Sequence, residues 1–328
     1  MKRFYYLIMV SLIWGLVITD ARAQFEVKVA IEGAPNSMAK ERSEREASQL
    51  LTAFSNDVTG AVKIKKALKE STIPAETQKE ILKLWSSSAM LCPVSEIRER
   101  AIQQTSGGYQ VRNIPISVLA ADDDDQDLVL QFDREGALVN VSIALETHNY
   151  NQVILKGHSV DDMTQRQIIL DFVENFRTAY NRKDWDYLNM VYSNDALIIT
   201  GREIKKKDKD YGSAMLNSLG AQKFEYQVQS KGEYMEKLKR IFKKNNYINI
   251  KFEEVTVARH PRRNKIYGVT LKQYWNTSTY SDVGYLFLMI NFENGMNPTI
   301  EVRTWQPNEF EGREIARSEV FSFKNFDL

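Results

Sequence analysis

The sequence predicts an α+β protein in two parts: an N-terminal domain of helices and antiparallel strands, then helices packed on a curved antiparallel sheet. Three observations carry this. Apolar residues recur every three or four positions in the second half of Met38–Val58 and again in Ile168–Tyr180, the spacing of one helix face. After Gly107, and again after Asn249, the period drops to two, the spacing of strands. The chain has 328 residues, enough for two separate cores.

At the chain start, Lys2 and Arg3 precede an apolar run from Phe4 to Val17, and Ala21-Arg22-Ala23 has the form of a signal-peptidase site. Residues 1–23 are expected to be a cleaved signal peptide, with the mature chain beginning at Gln24. An apolar run of about 15 residues is short for a membrane span. No Cys stands at the cleavage point, and no second run is long enough to cross a bilayer, so an integral membrane protein is not expected. The expected address is the periplasm or cell envelope of a Gram-negative bacterium.

Cys92 is the only cysteine, which leaves no internal disulfide framework. Its setting, Ala89-Met90-Leu91-Cys92-Pro93, is apolar and reads as a buried, inert thiol. Hydrophobic content of 43% and charged content of 27% are ordinary for a soluble globular chain. A formal net charge of +1 lacks the basic excess of a nucleic-acid binder, so no nucleic-acid partner is expected.

Residues 24–157 form the expected first domain. Phe25, Val27, Val29 and Ile31 alternate as a strand that Gly33-Ala34-Pro35-Asn36 ends. Met38–Val58 reads as a helix, charged in its first half and carrying Leu50, Leu51 and Phe54 in its second. Val62–Lys69 continues as a short helix. Pro74 suits the first turn of another, which runs to about Met90 with Ile81, Leu82, Leu84 and Trp85 on one side. Tyr109–Ile116 reads as a strand that Pro115 places at an edge or end. Asp127–Phe132 and Ala137–Leu145 make a hairpin around Asp133–Gly136. Gly157–Asp162 is the expected junction.

The second domain, 162–307, opens with the stretch Gln165–Gly201. Ile168, Ile169, Phe172, Val173, Phe176, Ala179 and Tyr180 form the apolar face of a helix about five turns long. Thr164 and Gln167 have capping-box spacing at its start. Trp185, Leu188, Met190 and Val191 begin a shorter helix, Ser193-Asn194-Asp195 reads as a turn, and Ala196–Thr200 as a strand. A polar stretch with Lys205–Lys207 and Lys209 follows, with a strand at Phe224–Gln229 and a helix at Tyr234–Lys244. Strands are then expected at Asn249–Arg259, with a bulge where the phase shifts at Glu253-Glu254, at Ile266–Trp275, at Gly284–Phe292 and at Thr299–Trp305. Gly284–Phe292 is apolar on both faces and reads as a central strand. The tail, 308–328, carries Val320, Phe321, Phe323 and Phe326 and is expected to dock as a final strand or to lie over the first domain.

This order resembles the NTF2-like (SnoaL-like) superfamily: a long helix, a short helix, and a strand entered through Asn194-Asp195-Ala196, then a helix and a run of strands. The resemblance covers about 162–307. It implies a cone, helices against a strongly curved sheet, with a pocket between them in many members and pairing through the outer sheet face, so a homodimer through the sheet is an expected partner arrangement. The mature chain is also similar to exported two-domain proteins of Gram-negative gut anaerobes, a resemblance that brings no activity with it.

The side chains a cone of this kind would turn inward are Tyr180, Trp185, Tyr192, Tyr267, Tyr274, Trp275, Tyr285 and Trp305, together with Arg303. The aromatics serve equally as plain core. Arg303 has two readings: buried, where a cation requires a partner or a ligand anion, or outward and ion-paired near Glu301. The catalytic carboxylate of the isomerases in the superfamily has no match here: Asp171 sits between Leu170 and Phe172 on what reads as a solvent face, and Asp195 reads as a turn residue. Arg259, His260, Arg262 and Arg263 form the densest basic spot of the sheet, a solvated turn or a surface anion site.

His148, His158 and His260 have no metal-ligand spacing. The run Asp122–Asp125 with Asp127 fails as a calcium loop, since Leu128 and Arg134 stand at the glycine and glutamate positions. No metal and no cofactor is expected, and no P-loop, dinucleotide fingerprint or nucleophile elbow occurs. The preferred reading is an exported, non-catalytic envelope protein whose second domain binds a small apolar or anionic ligand or an envelope protein partner. The alternative is a SnoaL-like small-molecule enzyme or carrier with an aromatic-lined pocket.

Overall fold

The structure is a computed structural model that describes residues 26–56, 61–105, 107–119, 124–156, 160, 162–203, 224–295 and 297–326. The expected signal peptide, the lysine run 205–209 and Asp122–Asp123 lie outside the described residues.

The first half runs β1 (Lys28–Glu32), α1 (Ser37–Asn56), α2 (Ala61–Glu70), α3 (Ala75–Ser87), β2 (Met90–Leu91), β3 (Glu96–Arg100), β4 (Ile102–Gln103), β5 (Tyr109–Val118), β6 (Asp124–Phe132) and β7 (Leu138–Ile143). Strands β5, β6 and β7 form an antiparallel meander. Its core takes Leu50, Leu51 and Phe54 from α1 and Ile81, Leu84 and Trp85 from α3. Cys92 is buried in the same core, and burial pushes its thiol pKa up.

Strand β1 pairs in parallel with β3 along one edge. Along the other, the amides of Val27, Val29 and Ile31 donate to Thr52 Oγ1, Ser48 Oγ and Glu44 Oε1, a stripe at four-residue spacing on α1. Pro115 is not on a simple edge strand. It pairs with Asp127 of β6, and the far side of β5 meets only the two-residue strands β4, at Tyr109–Gln110, and β2, at Ser117–Val118. Pro115 falls in the gap between them, so its missing N–H leaves no ladder bond broken.

The second half runs α4 (Thr147–Lys156), α5 (Met163–Asn181), α6 (Trp185–Val191), β8 (Tyr192–Glu203), β9 (Phe224–Gln229), α7 (Lys231–Lys244), β10 (Ile248–Arg259), β11 (Ile266–Thr277), β12 (Ser281–Asn291) and β13 (Thr299–Pro307). The sequence reading has no counterpart for α4. The curled sheet has the order β10-β11-β12-β13-β8-β9, antiparallel except for β13 beside β8. Its inner face packs on α4 to α7 in one core. The cap of α5 is Asp162 rather than Thr164, accepting from the amides of Thr164 and Gln165. Ser193–Asp195 is assigned to β8 rather than to a turn, although pairing with β13 jumps there from Tyr192 to Leu197. The bulge expected at Glu253-Glu254 is present, with Glu254 at φ 52°.

The two halves meet along a polar seam. Glu174, Arg177, Thr178 and Asn181 follow one another at helical spacing on α5, and all four are buried. Glu174 receives both Arg112 Nη atoms, at 3.0 and 2.5 Å, and the Leu145 amide at 2.7 Å. Arg177 donates to the carbonyls of Ile250 and Ala144 and to Gln126 Oε1. Thr178 accepts from the Ile143 amide and Asn181 from the Ile250 amide. Asp171 lies beside this seam, half-buried and with Oδ1 shut off from solvent, not on a solvent face. Burial, with the nearby Glu174 charge, raises its carboxyl to about 7, against the pull of Arg112.

The tail takes neither of its expected courses. It crosses the outer face of the curled sheet as a small hairpin and two 3-10 turns. Phe321, Phe323 and Phe326 pack on Ile266, Phe287, Met289 and Val302 there. Gly268 makes this close approach possible, since a Cβ at that point would fall 2.8 Å from the Phe323 ring. The face through which the resemblance implied pairing is therefore occupied by the chain's own tail.

Candidate functional site

Strand β13 decides what enters the cone. Pairing on both of its sides skips Glu301: Ile290 faces Ile300 and Met289 faces Val302 on one side, and on the other Ile300 faces Tyr192 while Val302 faces Leu197. One extra residue reverses the alternation. Ile300 points inward, Val302 outward, and Arg303 and Trp305 inward again. Arg303 is thus buried, at 6% exposure. Glu301 pairs instead with Arg263 and Asn291.

Arg303 ends among three tyrosines. The Tyr180 hydroxyl bonds those of Tyr192, at 2.9 Å, and Tyr234, at 2.6 Å. The Arg303 guanidinium carbon stands 5.1 Å from the centre of the Tyr234 ring. Burial works against its charge and the surrounding tyrosine hydroxyls offset this, so the guanidinium stays protonated. Burial also raises the Tyr180 and Tyr192 pKa values well above the ordinary phenol value, which keeps both hydroxyls neutral. Among the described residues no carboxylate oxygen comes within 4.0 Å of Arg303, and its Nε makes no hydrogen bond.

Above Arg303 lies an open cavity of about 440 Å³ between α7 and the sheet. Trp275 and Trp305 form aromatic walls, Tyr280 and Asp282 lie toward the β11–β12 turn, and Lys237 and Lys244 come from α7. Asp282 is the one carboxylate among the described lining residues. Burial raises its pKa, opposed by the Tyr280 hydroxyl and the Arg303 charge. Asp282 Oδ1 and Trp305 Nε1, like Arg303 Nε, are buried and without a hydrogen-bond partner. Gly284 makes room for Trp305, because a Cβ there would fall 2.6 Å from the indole.

Of the aromatic candidates, Trp275 and Trp305 line this cavity, with Tyr180 and Tyr192 beneath Arg303. Tyr267 lies inward but packs on Phe292. Trp185 bonds the Met235 carbonyl and packs against the core without lining the cavity. Tyr285 is on the outer face, where its hydroxyl donates to Glu314 under the tail. Tyr274 stands in the outward phase of β11, with Glu253 and Lys272 for neighbours. Tyr234, Gln273 and Asp282 are among the lining residues the sequence reading missed. The strand period carries a signal for two of them: the alternation that buries Leu286, Leu288 and Ile290 also turns Asp282 inward, and Val269 and Leu271 do the same for Gln273.

The basic turn is not a four-residue anion site. His260 is buried, at 4% exposure, and its Nδ1 accepts the amides of Arg262 and Arg263, both at 3.1 Å. That acceptor role requires a neutral ring, and burial together with the two arginine charges lowers its pKa accordingly. Its ring also abuts Phe323 of the tail. Arg259 and Arg262 remain exposed. Among the described residues no group of three or more His, Cys, Asp or Glu gathers to hold a metal, and no helix is long and apolar enough to cross a membrane.

No protein-family model matches the chain, and no curated protein matches it. Solved structures with a similar layout include Bdellovibrio bacteriovorus Bd1075, at 16% identity and a TM-score of 0.33, covering 54% of this chain and 48% of that one. Naphthalene 1,2-dioxygenase with indole bound is 7% identical with a TM-score of 0.36, covering 52% of this chain and 93% of the other. An NTF2-like protein of unknown function from Shewanella oneidensis MR-1 is 12% identical with a TM-score of 0.30, covering 43% and 98%. Identities this low transfer neither residue roles nor activity.

Proposed function

We propose that this protein is an exported ligand-binding module of the cell envelope, whose C-terminal half holds a small anionic molecule with an apolar body. The observation that supports the reading is Arg303, a buried cation with no carboxylate partner that opens on a cavity of about 440 Å³. Burying an unpaired charge costs several kcal/mol, and a ligand anion offsets that cost. The cavity volume lies within the range of roughly 300–1,000 Å³ common for small-molecule sites. Lys237 and Lys244 add positive potential at the rim. Support for the address is the signal-peptide pattern of residues 1–23. The enzyme alternative needs an acid–base pair set over the ligand, and the described lining offers Asp282 as its one carboxylate.

The test is native mass spectrometry of the chain from Gln24 onward, purified from its own envelope, beside the variant Arg303→Met. The expected result is a small bound mass in the wild type and none in the variant. The empty variant should also melt higher than the empty wild type, because a costly buried charge is gone. A variant that melts lower and keeps the bound mass would assign Arg303 a structural role and remove the reading.

A further inference from the structure

The cavity is polar at two separated places, and the separation carries chemical information. Arg303 Nε and Trp305 Nε1 are donors two residues apart on the inward phase of β13. Asp282 Oδ1 is an acceptor on β12, beside Trp275 of β11; the Tyr280 hydroxyl serves the same carboxylate and leaves this oxygen open. All three atoms are buried, all three lack a partner, and all three residues line one cavity. Buried polar atoms are normally satisfied, so three exceptions converging on one space indicate what is missing from it.

The two charged groups do not satisfy each other. They are far enough apart that no ion pair closes within 4.0 Å, yet close enough that each charge acts on the other. Between them the walls are flat and aromatic: Trp275, Trp305 and Tyr234. A ligand that satisfies the site must present an acceptor anion to Arg303 and Trp305, a flat apolar body between the walls, and a donor to Asp282. A molecule anionic at both ends would set its second charge against Asp282, and like-charge apposition disfavours it.

We infer that the ligand is a flat ring compound carrying a carboxylate at one end and a hydrogen-bond donor, hydroxyl or amine, at the other, held lengthwise between Arg303 and Asp282. This rests on the binding reading of the same cavity and adds the second contact, which sets specificity. Arg303 supplies affinity common to any acid of the right size. Asp282 distinguishes acids that carry a donor from those that do not, because an acid without one leaves Oδ1 unpaired as it displaces water.

The experiment is calorimetric titration of the chain from Gln24 onward with four probes of one size class: 4-hydroxyphenylacetate, phenylacetate, 4-methoxyphenylacetate and tyramine. The wild type should bind 4-hydroxyphenylacetate about tenfold or more tighter than phenylacetate or its methoxy analogue, the scale of a hydrogen bond to a charged acceptor. Tyramine, which lacks the carboxylate, should bind weakest. Asp282→Ala should erase the hydroxyl advantage, bringing 4-hydroxyphenylacetate and phenylacetate to equal affinity, with circular dichroism and a thermal melt reporting that the variant is folded. Replacing tyramine by 4-aminophenylacetate separates the amine from the hydroxyl as the preferred donor. Equal binding of all three acids, abolished by Arg303→Met, would overturn the inference and leave the binding reading in place. A hydroxyl advantage that survives Asp282→Ala would likewise overturn it. Failure of every acid to bind at millimolar concentration would remove the inference and the binding reading together.

Discussion

Removing one member of the Arg112–Glu174 pair should cost far more than removing both. Glu174 is fully buried, and its carboxylate accepts both Arg112 Nη atoms and the Leu145 amide. In Arg112→Met the carboxylate keeps a single donor, the Leu145 amide at 2.7 Å. Stranding a buried charge in this way costs about 3–5 kcal/mol. In Glu174→Leu the stranded group is Arg112, which keeps its stack on the Tyr150 ring at 3.8 Å and the nearby Asp171 carboxyl. That loss should fall at the lower end of the same range, with part of it from the orphaned Leu145 amide. The double variant Arg112→Met/Glu174→Leu removes both charges and retains only the orphaned amide, for about 1–3 kcal/mol. The cycle therefore predicts a favourable coupling of at least about 3 kcal/mol. Urea unfolding of the four proteins, followed by circular dichroism and tryptophan fluorescence and summed over all transitions, measures it. Singles that each cost under about 1 kcal/mol, or a double that costs their sum, would refute the claim that this pair is a coupled, desolvated unit of the seam.

Three further outcomes follow from the structure. Asp171 is raised from 3.8 to about 7, so the folded state holds its proton between those values, and stability falls as pH rises through that window. Asp171→Asn should stabilise above pH 7 by an amount on the order of 4 kcal/mol at most, at about 1.36 kcal/mol per unit, with the gain vanishing toward pH 4 in thermal melts. Gly284→Ala should cost about 1–3 kcal/mol and weaken ligand binding, because its Cβ meets the Trp305 ring at 2.6 Å and the Gln306 carbonyl at 2.4 Å; unchanged melting and affinity would show that the strand absorbs the methyl. Truncation after Pro307 should expose Tyr285, Phe287, Met289 and Val302 and raise the mass of the particle seen by light scattering above that of the full chain; a truncated chain with the same oligomeric state as the full chain would deny that face any role in association.

Helices and strands were legible wherever period and punctuation agreed. Phe224–Gln229 and the long strands at Ile248, Ile266, Ser281 and Thr299 lie where the sequence reading put them, within a few residues. The failures share a cause: a local pattern shows what a face is made of, not what it faces. Asp171 read as lying on a solvent face, yet the side of α5 that carries it, with Glu174, Arg177, Thr178 and Asn181, meets the other half of the chain. The side on which Arg303 sits depends on one skipped residue, Glu301, and no composition signal marks that bulge. Tyr285 fits a pocket as well as an outer face by residue type; its phase opposite to Leu286 and Leu288 turns it outward, and the tail then covers it. His260 looked like one of four surface cations because its role is to accept two backbone amides, which the residue type does not reveal.

The stripe Glu44, Ser48 and Thr52 on α1 sets the order in which the N-terminus can assemble. Three acceptors on successive turns exist as a row only after α1 has wound. The other edge of β1 waits for β3, which is made about seventy residues later and follows three helices. So β1, first in the described chain, cannot close its second edge until residue 100 has been made. Until then it is held on one side alone, by the acceptor row of α1 and the turn at Gly33, so loss of that row should free the strand before the rest of the sheet loosens.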